Sequence, residues 1–218
     1  WFTAPFEVLA SSDSAMIIVI IFFLLAVSIA FSLLERSDIM SLFISKVVKK
    51  FSGMKYLLLA IIVFFFMLLG AVIGTFEENI ALVPIIIAIA YCLGWDSLVG
   101  LGMSILASCF GFTAAITNPF SIAITQEISN LPLYSGSFFR VIIFAVYFAL
   151  VYFFLSRYAK KIEKNPEKSL VFGEDQALRA KYRDIGSLEE VLNQKTPEEF
   201  KKLRKASLAF GVFILLIF

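Results

Sequence analysis

Two adjacent carboxylates, Glu77 and Glu78, stand between two long apolar runs, and this juxtaposition constrains the fold more than any other feature of the sequence. The apolar runs cover residues 55–73 and 80–93. Acidic side chains at membrane depth are rare, and they usually face a water-filled cavity or a partner. The chain must therefore either keep this pair in water or build a polar site for it within the membrane.

The composition decides between protein classes. The chain is 60% hydrophobic with a mean hydropathy of +0.91, whereas soluble domains are roughly 45–50% apolar. Its apolar stretches have the length of membrane helices and exceed that of barrel strands. We therefore predict an all-α polytopic protein of the cell (inner) membrane. Histidine is absent, which removes the usual proton shuttle and metal ligand, so we expect neither an enzyme nor a metal site.

Positive charge predicts the orientation of the chain. Nearly all Lys and Arg residues fall in two segments, 36–55 and 157–205. Cytoplasmic loops carry the excess of these residues, so we place both segments in the cytoplasm. The chain also starts without methionine and stops inside an apolar run, as a piece of a longer protein would. The predicted organisation is a membrane region over 1–158, a cytoplasmic linker over 159–206 and the start of a truncated membrane helix at 207–218.

The membrane region is predicted to contain five elements. They are a membrane helix over 15–34, an amphipathic helix at the cytoplasmic interface over 37–52, a hairpin over 55–93, a broken helix over 96–126 and a helix over 138–157. Both ends of the hairpin lie on the cytoplasmic side, so the charge rule cannot distinguish two full spans from a re-entrant hairpin. The second arm has only about 14 residues, which favours the re-entrant form.

The broken helix has a predicted start, a packing face and a predicted interruption. Asp96 is a suitable N-cap for it. Small residues then recur every three or four positions, which lets another backbone approach closely; we expect packing rather than a pathway from this stripe of Gly100, Ser104, Ala107, Ser108, Gly111 and Ala115. Pro119 lacks a backbone donor and disfavours helical geometry at Asn118, so the helix should break there.

Two polar features also have purely structural explanations. Thr75 and Glu78 have the spacing of a capping box, in which the threonine caps the second arm of the hairpin and the glutamate binds back to its amide. Arg140 stands near the outer end of the last membrane helix, where it could snorkel to the interface or pair with Glu127. We expect snorkelling, the commoner behaviour of arginine near a helix end.

Four motifs carry a resemblance to a known family. In chain order they are Gly74-Thr-Phe-Glu-Glu-Asn-Ile-Ala-Leu-Val-Pro84, Gly111-Phe-Thr-Ala-Ala-Ile-Thr-Asn-Pro-Phe120, Leu131-Pro-Leu-Tyr-Ser-Gly136 with Phe139-Arg140, and Arg157-Tyr-Ala-Lys-Lys with Asn165-Pro-Glu-Lys-Ser-Leu. Together they resemble the YfcC branch of the C4-dicarboxylate anaerobic carrier family, in the ion transporter superfamily. The resemblance implies two inverted repeats, each with a re-entrant hairpin and a broken helix that meet at a midplane site, and this chain would be largely the first repeat.

We therefore expect a secondary active transporter for a small charged metabolite, an amino acid (basic ones included) or a carboxylate, driven by ion coupling or exchange. The candidate binding residues are Thr75, Glu77, Glu78, Asn79, Thr117 and Asn118, with Pro119 at the break. Two carboxylates would repel a dicarboxylate unless they were protonated or neutralised, so basic amino acids suit the pair better. Alternatively, the acids carry a coupling proton.

The expected partners follow from this interpretation. They are the small-molecule substrate, the lipid bilayer, the second half of the same protein and a second copy in a homodimer, with no nucleic acid. No cofactor is expected beyond a coupling proton or sodium ion. The alternative function is a non-transporting membrane scaffold or assembly subunit, in which the two acids belong to a capped loop.

Overall fold

The computed structural model describes residues 38–183 and, outside them, positions 14, 18, 22, 25, 29, 198, 201–203 and 205–209. Most of the predicted helix over 15–34, most of the linker beyond 183 and most of the segment 207–218 lie outside the described residues. The chain divides into two units, Trp1–Asp38 and Ile39–Phe218, and the contacts given below lie within the second. Every regular element in the described part is helical, which confirms the all-α class.

The α-helices follow one another in the order predicted for an interfacial helix, a hairpin, a broken helix and a final long helix. They are α1 (Asp38–Phe51), α2 (Lys55–Val72), α3 (Glu77–Ile80), α4 (Val83–Cys92), α5 (Ser97–Leu101), α6 (Ala107–Ala114), α7 (Ile124–Ile128), α8 (Ser137–Lys164) and α9 (Gln176–Arg183). The segments Gly102–Leu106 and Pro119–Ala123 are π-helical. Ser52–Met54 and Pro166–Lys168 are short 3₁₀ turns.

Within the described part of the chain, three helical stretches are long and apolar enough to cross a membrane: Lys55–Val72, Ser97–Ile128 and Ser137–Lys164. The second arm of the hairpin, α4, is apolar but has only 10 residues. At about 1.5 Å per residue it rises about 15 Å, half the thickness of the hydrocarbon core. The re-entrant form of the hairpin stays a prediction, and the shortness of α4 favours it.

The centre of the fold is the crossing of α2 and α6, where two glycines bring the backbones into contact. A Cβ atom on Gly111 would lie 2.0 Å from the carbonyl oxygen of Met67, and one on Gly70 would lie 2.5 Å from that of Ser108. Along the same broken helix, a Cβ on Gly100 would lie 2.7 Å from the Cα of Ile87 in α4. The stripe of small residues therefore serves packing at these positions, as predicted.

Helix α8 packs across this pair through aromatic side chains. The ring of Phe64 in α2 meets Phe144 and Phe148 edge to face, at centroid distances of 5.8 and 5.6 Å. Phe110 in α6 meets Tyr147 in the same way at 5.3 Å. Such edge-to-face pairs match the quadrupoles of the two rings. Because α8 contacts both α2 and α6, it holds the first arm of the hairpin and the broken helix together.

The junction between α4 and α5 is fastened by buried carboxylates. Asp96 is fully buried and caps α5, as predicted, because its Oδ1 accepts a hydrogen bond from Val99 N at 2.9 Å. Its Oδ2 accepts from Tyr158 Oη at 2.8 Å and Ser169 Oγ at 2.7 Å. Asp175 accepts from both N and Oγ of the next junction residue, Ser97, at 2.8 Å. The segment after α8 is therefore tied to this junction.

Candidate functional site

The broken helix is interrupted where Asn118 meets Pro119. Helix α6 ends at Ala114, and Ala115 takes a left-handed conformation with φ of 48°. Pro119 then begins the π-helical segment, where its missing N–H costs nothing because the first amides of a helix have no intrahelical partner. Asn118 Oδ1 accepts from the N–H groups of Phe120 and Ser121 at 2.8 and 3.3 Å. The proline and the asparagine cap thus create the break.

The residues of the break bind the end of the first hairpin arm. Asn118 Nδ2 donates to the carbonyl of Gly70 at 3.1 Å. Thr117 donates twice, from N to Ala71 O at 3.1 Å and from Oγ1 to Val72 O at 3.2 Å. These carbonyls belong to the last turn of α2 and have no partner within the helix. The break therefore caps α2, and the structure brings the predicted residues Thr117 and Asn118 against the hairpin.

Gly74 is the point of closest approach between the hairpin tip and the break. Its φ is +81°, a region that favours glycine. A Cβ atom there would also lie 2.4 Å from Asn118 Oδ1 and 2.9 Å from Cδ2 of Phe120. Both the backbone conformation and the contact therefore require glycine at the start of the tip.

Asn79 anchors the tip to the broken helix and leaves one oxygen without a partner. Its side chain is fully buried, and its Nδ2 donates to Thr75 O and to Ser108 Oγ, both at 2.9 Å. Its Oδ1 accepts no hydrogen bond from any described residue. Buried amide oxygens nearly always have a donor, so this one calls for an explanation.

Thr75 does not form the predicted capping box. Its Oγ1 is buried and has no hydrogen-bond partner among the described residues, so the prediction of a threonine cap is wrong. The physical reason is that α3 begins at Glu77, so the N-cap position falls on Phe76 and not on Thr75. Thr75 thus contributes a second unpaired oxygen to the tip.

The two adjacent glutamates lie at the start of the short helix α3. Glu77 and Glu78 are its first two residues. Their side chains lie outside the described part of the structure, so their role in binding stays a prediction. What the structure does give is their position in the chain, between the unpaired hydroxyl of Thr75 and the anchored side chain of Asn79.

Three residues near this site were missed by the sequence reasoning. Ser108 was assigned to packing alone, yet its hydroxyl accepts from Asn79. Ser121 follows the break, and its Oγ is buried without a partner in the described part of the chain. A hydroxyl in an otherwise apolar stripe, or one just after an Asn-Pro break, is a signal that could have identified both.

Arg140 is the third of these residues; its expected snorkelling stays a prediction, and the structure shows that it binds the break. Its Nε donates to the carbonyl of Ile116 at 3.2 Å, inside the break. Nη1 donates to Ser135 O at 2.9 Å and Nη2 to Ser137 Oγ at 3.2 Å. The carbonyl of Ile116 has no helical partner once the helix is interrupted, so the guanidinium finds an acceptor within the protein. Arg140 therefore stabilises the break from α8.

Known proteins with similar sequences place this chain in a family. The family described as C4-dicarboxylate anaerobic carrier matches residues 2–218. The chain is 31% identical over 182 residues to an Escherichia coli (strain K12) protein named "Putative basic amino acid antiporter YfcC". This match covers 83% of the chain and 36% of the Escherichia coli protein. It is 28% identical over 135 residues to an uncharacterized protein of Haemophilus influenzae, covering 62% of the chain and 26% of that protein.

The chain thus spans about a third or less of the length of these curated relatives. No solved structure matches it. The family match covers almost the whole chain, including the hairpin tip at 74–84 and the break at 111–120 on which the resemblance was based. The chain belongs to the C4-dicarboxylate anaerobic carrier family.

Proposed function

We propose that this chain is the first half of a secondary active transporter that moves a small charged metabolite, an amino acid or a carboxylate, by ion coupling or exchange. The observation that carries the proposal is the contact between the hairpin and the break. Asn118 binds the Gly70 carbonyl at the end of the first arm, and in the tip Asn79 Oδ1 is buried without a partner in the described structure. Interrupted helices of this kind mark the binding sites of many transporters, because their free backbone groups and helix ends can bind charged ligands.

The unpaired oxygens explain what such a site would bind. Asn79 Oδ1, Thr75 Oγ1 and Ser121 Oγ are acceptors without a donor in the described structure. A buried polar group left in this state costs about 1–3 kcal/mol. A substrate ammonium or a hard cation such as sodium, which prefers oxygen ligands, would offset that cost. In this proposal Glu77 and Glu78 bind the coupling ion, a proton or sodium, or the cationic group of the substrate.

Basic amino acids are the first substrate class to test. The named relative from Escherichia coli is described as a basic amino acid antiporter, and two adjacent acids at the tip suit a cationic substrate. A C4-dicarboxylate, which the family name implies, would require the acids to be protonated or neutralised. The helix ends at the break offer such a substrate an alternative binding mode that needs no basic side chain.

The wider organisation belongs to the same proposal. The hairpin over 55–93 is re-entrant, with its tip at the membrane midplane, and the segment over 159–206 is cytoplasmic. The protein is a multi-pass protein of the inner membrane and forms a homodimer. A second hairpin and break of inverted topology, in the part of the protein that this chain does not include, complete the binding site.

The proposal is tested by uptake into proteoliposomes that contain the full-length protein. Labelled arginine and lysine are compared with a labelled C4-dicarboxylate, in the wild type and in Glu77→Gln and Glu78→Gln. We expect at least one variant to lose about ten-fold in uptake, which corresponds to about 1.4 kcal/mol. Glu127→Gln is the matched control, because Glu127 is an exposed acid in α7. Wild-type uptake in both tip variants would refute the role of the acids.

A labelling experiment distinguishes transport from a scaffold role. A cysteine is introduced by Glu78→Cys and treated with a membrane-impermeant reagent from either side. Reaction from the cytoplasm only, altered by substrate, supports the transporter. Reaction from the outside, insensitive to substrate, supports an exterior loop in a scaffold protein.

A further inference from the structure

The last two turns of α8 extend beyond the length that a membrane core can accommodate. The helix has 28 residues and rises about 42 Å, whereas the hydrocarbon core is about 30 Å thick. Residues 138–156 carry no charge other than Arg140 and rise about 29 Å by themselves. Residues 157–164 therefore extend about 12 Å past the core, through the layer of lipid headgroups.

Cations of this extension lie along one face of α8. They are exposed and follow one another at intervals of three and four positions, a spacing that places side chains above one another on a helix. These cations are Arg157, Lys160, Lys161 and Lys164. The acid in this stretch, Glu163, forms an ion pair with Lys55 of α2. It is therefore engaged by another helix, and the cationic face keeps its charge.

Three of the four cations have no protein partner for their charge. Among the described residues, none forms an ion pair or a hydrogen bond with the side chain of Arg157, Lys161 or Lys164. Lys160 differs, because its ammonium lies 5.1 Å from the centre of the Tyr56 ring, at the edge of this face. A charge without a protein partner can bind an external anion at no cost in internal contacts.

The same face continues into the membrane-spanning part of α8 as an exposed apolar stripe. Leu150, Phe153 and Phe154 precede the first cation by three to seven positions, and they are 57%, 63% and 62% exposed. Buried residues of this part of the helix, such as Leu155 and Ala159, lie on the opposite face. A ligand on the exposed face would therefore contact apolar side chains and positive charge together.

The dimensions of this face match those of a phospholipid. The headgroup layer is about 5–8 Å thick on each side of the core. Arg157 lies about 4.5 Å beyond Phe154 along the helix axis, and Lys161 lies about 6 Å further. The first cations are thus at the depth of a phosphate, and Lys164 follows within a Debye length of about 8–10 Å.

We infer that this face of α8 binds an anionic phospholipid of the adjoining leaflet, with its phosphate at Arg157 and Lys161 and its acyl chains along the apolar stripe. Clusters of about four cations immediately beyond a membrane helix recognise such headgroups by charge. A soluble anion would leave the apolar stripe unused. A second copy of this chain, related by a two-fold axis along the membrane normal, would place like charges against each other. The site is independent of the transported substrate.

The test is lipid binding to the purified full-length protein, measured by native mass spectrometry. Phosphatidylglycerol is compared with phosphatidylcholine of the same chains at equal concentration, and we expect it to bind at least ten-fold more tightly. Arg157→Gln and Lys161→Gln should each weaken phosphatidylglycerol binding about five-fold, the effect expected for one cation near a membrane surface, and leave phosphatidylcholine unchanged. Lys168→Gln is the matched control, because Lys168 is exposed but belongs to the 3₁₀ turn after α8, and it should have no effect.

Two further measurements separate charge from other causes and the lipid from its headgroup. Arg157→Lys keeps the charge and should keep most of the phosphatidylglycerol binding. Glycerol phosphate has the phosphate without acyl chains and should not displace the lipid. Equal binding of the two lipids, wild-type binding in both glutamine variants of the stripe, an equal loss in Lys168→Gln, or full displacement by glycerol phosphate would each overturn the inference. Binding to the monomer alone would also overturn it, because a second copy would then cover this face.

Discussion

Two fully buried polar side chains, Asp96 and Asn79, stand at opposite ends of the hairpin's second arm and differ in how they are satisfied. Both oxygens of Asp96 accept hydrogen bonds, from three donors in all. Asn79 uses its amino group twice, but its oxygen has no donor in the described structure. A satisfied buried network holds elements in one arrangement, whereas an unsatisfied group costs stability. The junction is thus held in one arrangement, whereas the tip contains the unsatisfied oxygen on which the proposed binding site rests.

The largest expected effect is that of Asp96, in the junction between α4 and α5. Asp96→Ala removes the cap of α5 and leaves the hydroxyls of Tyr158 and Ser169 without their acceptor. The cap is worth about 1 kcal/mol, the part-buried Tyr158 hydroxyl about 1 kcal/mol and the buried Ser169 hydroxyl about 1–3 kcal/mol, so we expect the free energy of unfolding to fall by about 3–5 kcal/mol. Chemical unfolding of the purified full-length protein measures this. A loss below about 1 kcal/mol, no larger than in Glu127→Ala, would contradict the interpretation.

The next effect concerns the crossing of α2 and α6. Gly111→Ala places a Cβ against the Met67 carbonyl, where the backbone cannot yield as a flexible side chain could. We expect a loss of about 2–3 kcal/mol in the free energy of unfolding, the upper part of the range for overpacking. Gly53→Ala is the matched control, because a Cβ at Gly53 would meet nothing within 4 Å. Equal stability of the two variants would show that α2 and α6 can separate at little cost.

A smaller effect is expected at the break. Arg140→Gln removes the charged donor to the Ile116 carbonyl, and hydrogen bonds to charged groups contribute about 1.5–3 kcal/mol. Because part of Arg140 is accessible, we expect about 1.5 kcal/mol. Hydrogen exchange should rise at residues 115–121 while it stays unchanged at residues 97–101. Faster exchange at both places would mean that Arg140 supports the whole helix and not the break.

The smallest effect on stability tests the tip most directly. Thr75→Val replaces a hydroxyl that has no partner in the described structure by a methyl group of the same shape. Since nothing is lost but an unsatisfied oxygen, we expect stability to change by less than about 0.5 kcal/mol or to rise, while uptake falls about ten-fold. The matched change at the junction between α4 and α5 is Ser169→Ala. It should lower the free energy of unfolding by about 1 kcal/mol and leave uptake per folded molecule unchanged. A loss of stability in Thr75→Val, or a loss of uptake in Ser169→Ala, would contradict the distinction between the tip and the junction.

The features that the sequence could predict depend on neighbours in the chain. The break follows from Pro119 and the residue before it, and the cap of α5 follows from Asp96 preceding a helical run. The amphipathic pattern over 37–52 likewise corresponds to the helix Asp38–Phe51. In each case the physical cause acts within one or two turns.

The features that the sequence could not predict depend on distant residues. Ser169 binds Asp96 across 73 positions and Tyr158 across 62, and no periodicity relates such residues. The capping box failed for a similar reason. The spacing of Thr75 and Glu78 is correct for a box, but the tip is held instead by Asn79, which binds Ser108 29 positions away. Arg140 likewise binds the carbonyl of Ile116 in the break, 24 positions earlier in the chain.

The capping of α2 by the break also has a consequence for biosynthesis. The partners of the Gly70 and Val72 carbonyls come 48 and 45 positions later in the chain. At about 5–20 residues per second, the ribosome needs roughly 2–10 s to reach them. During that interval the last turn of the nascent helix has no cap from Thr117 or Asn118. The hairpin therefore reaches its final form only after the broken helix has been synthesised and has docked against it.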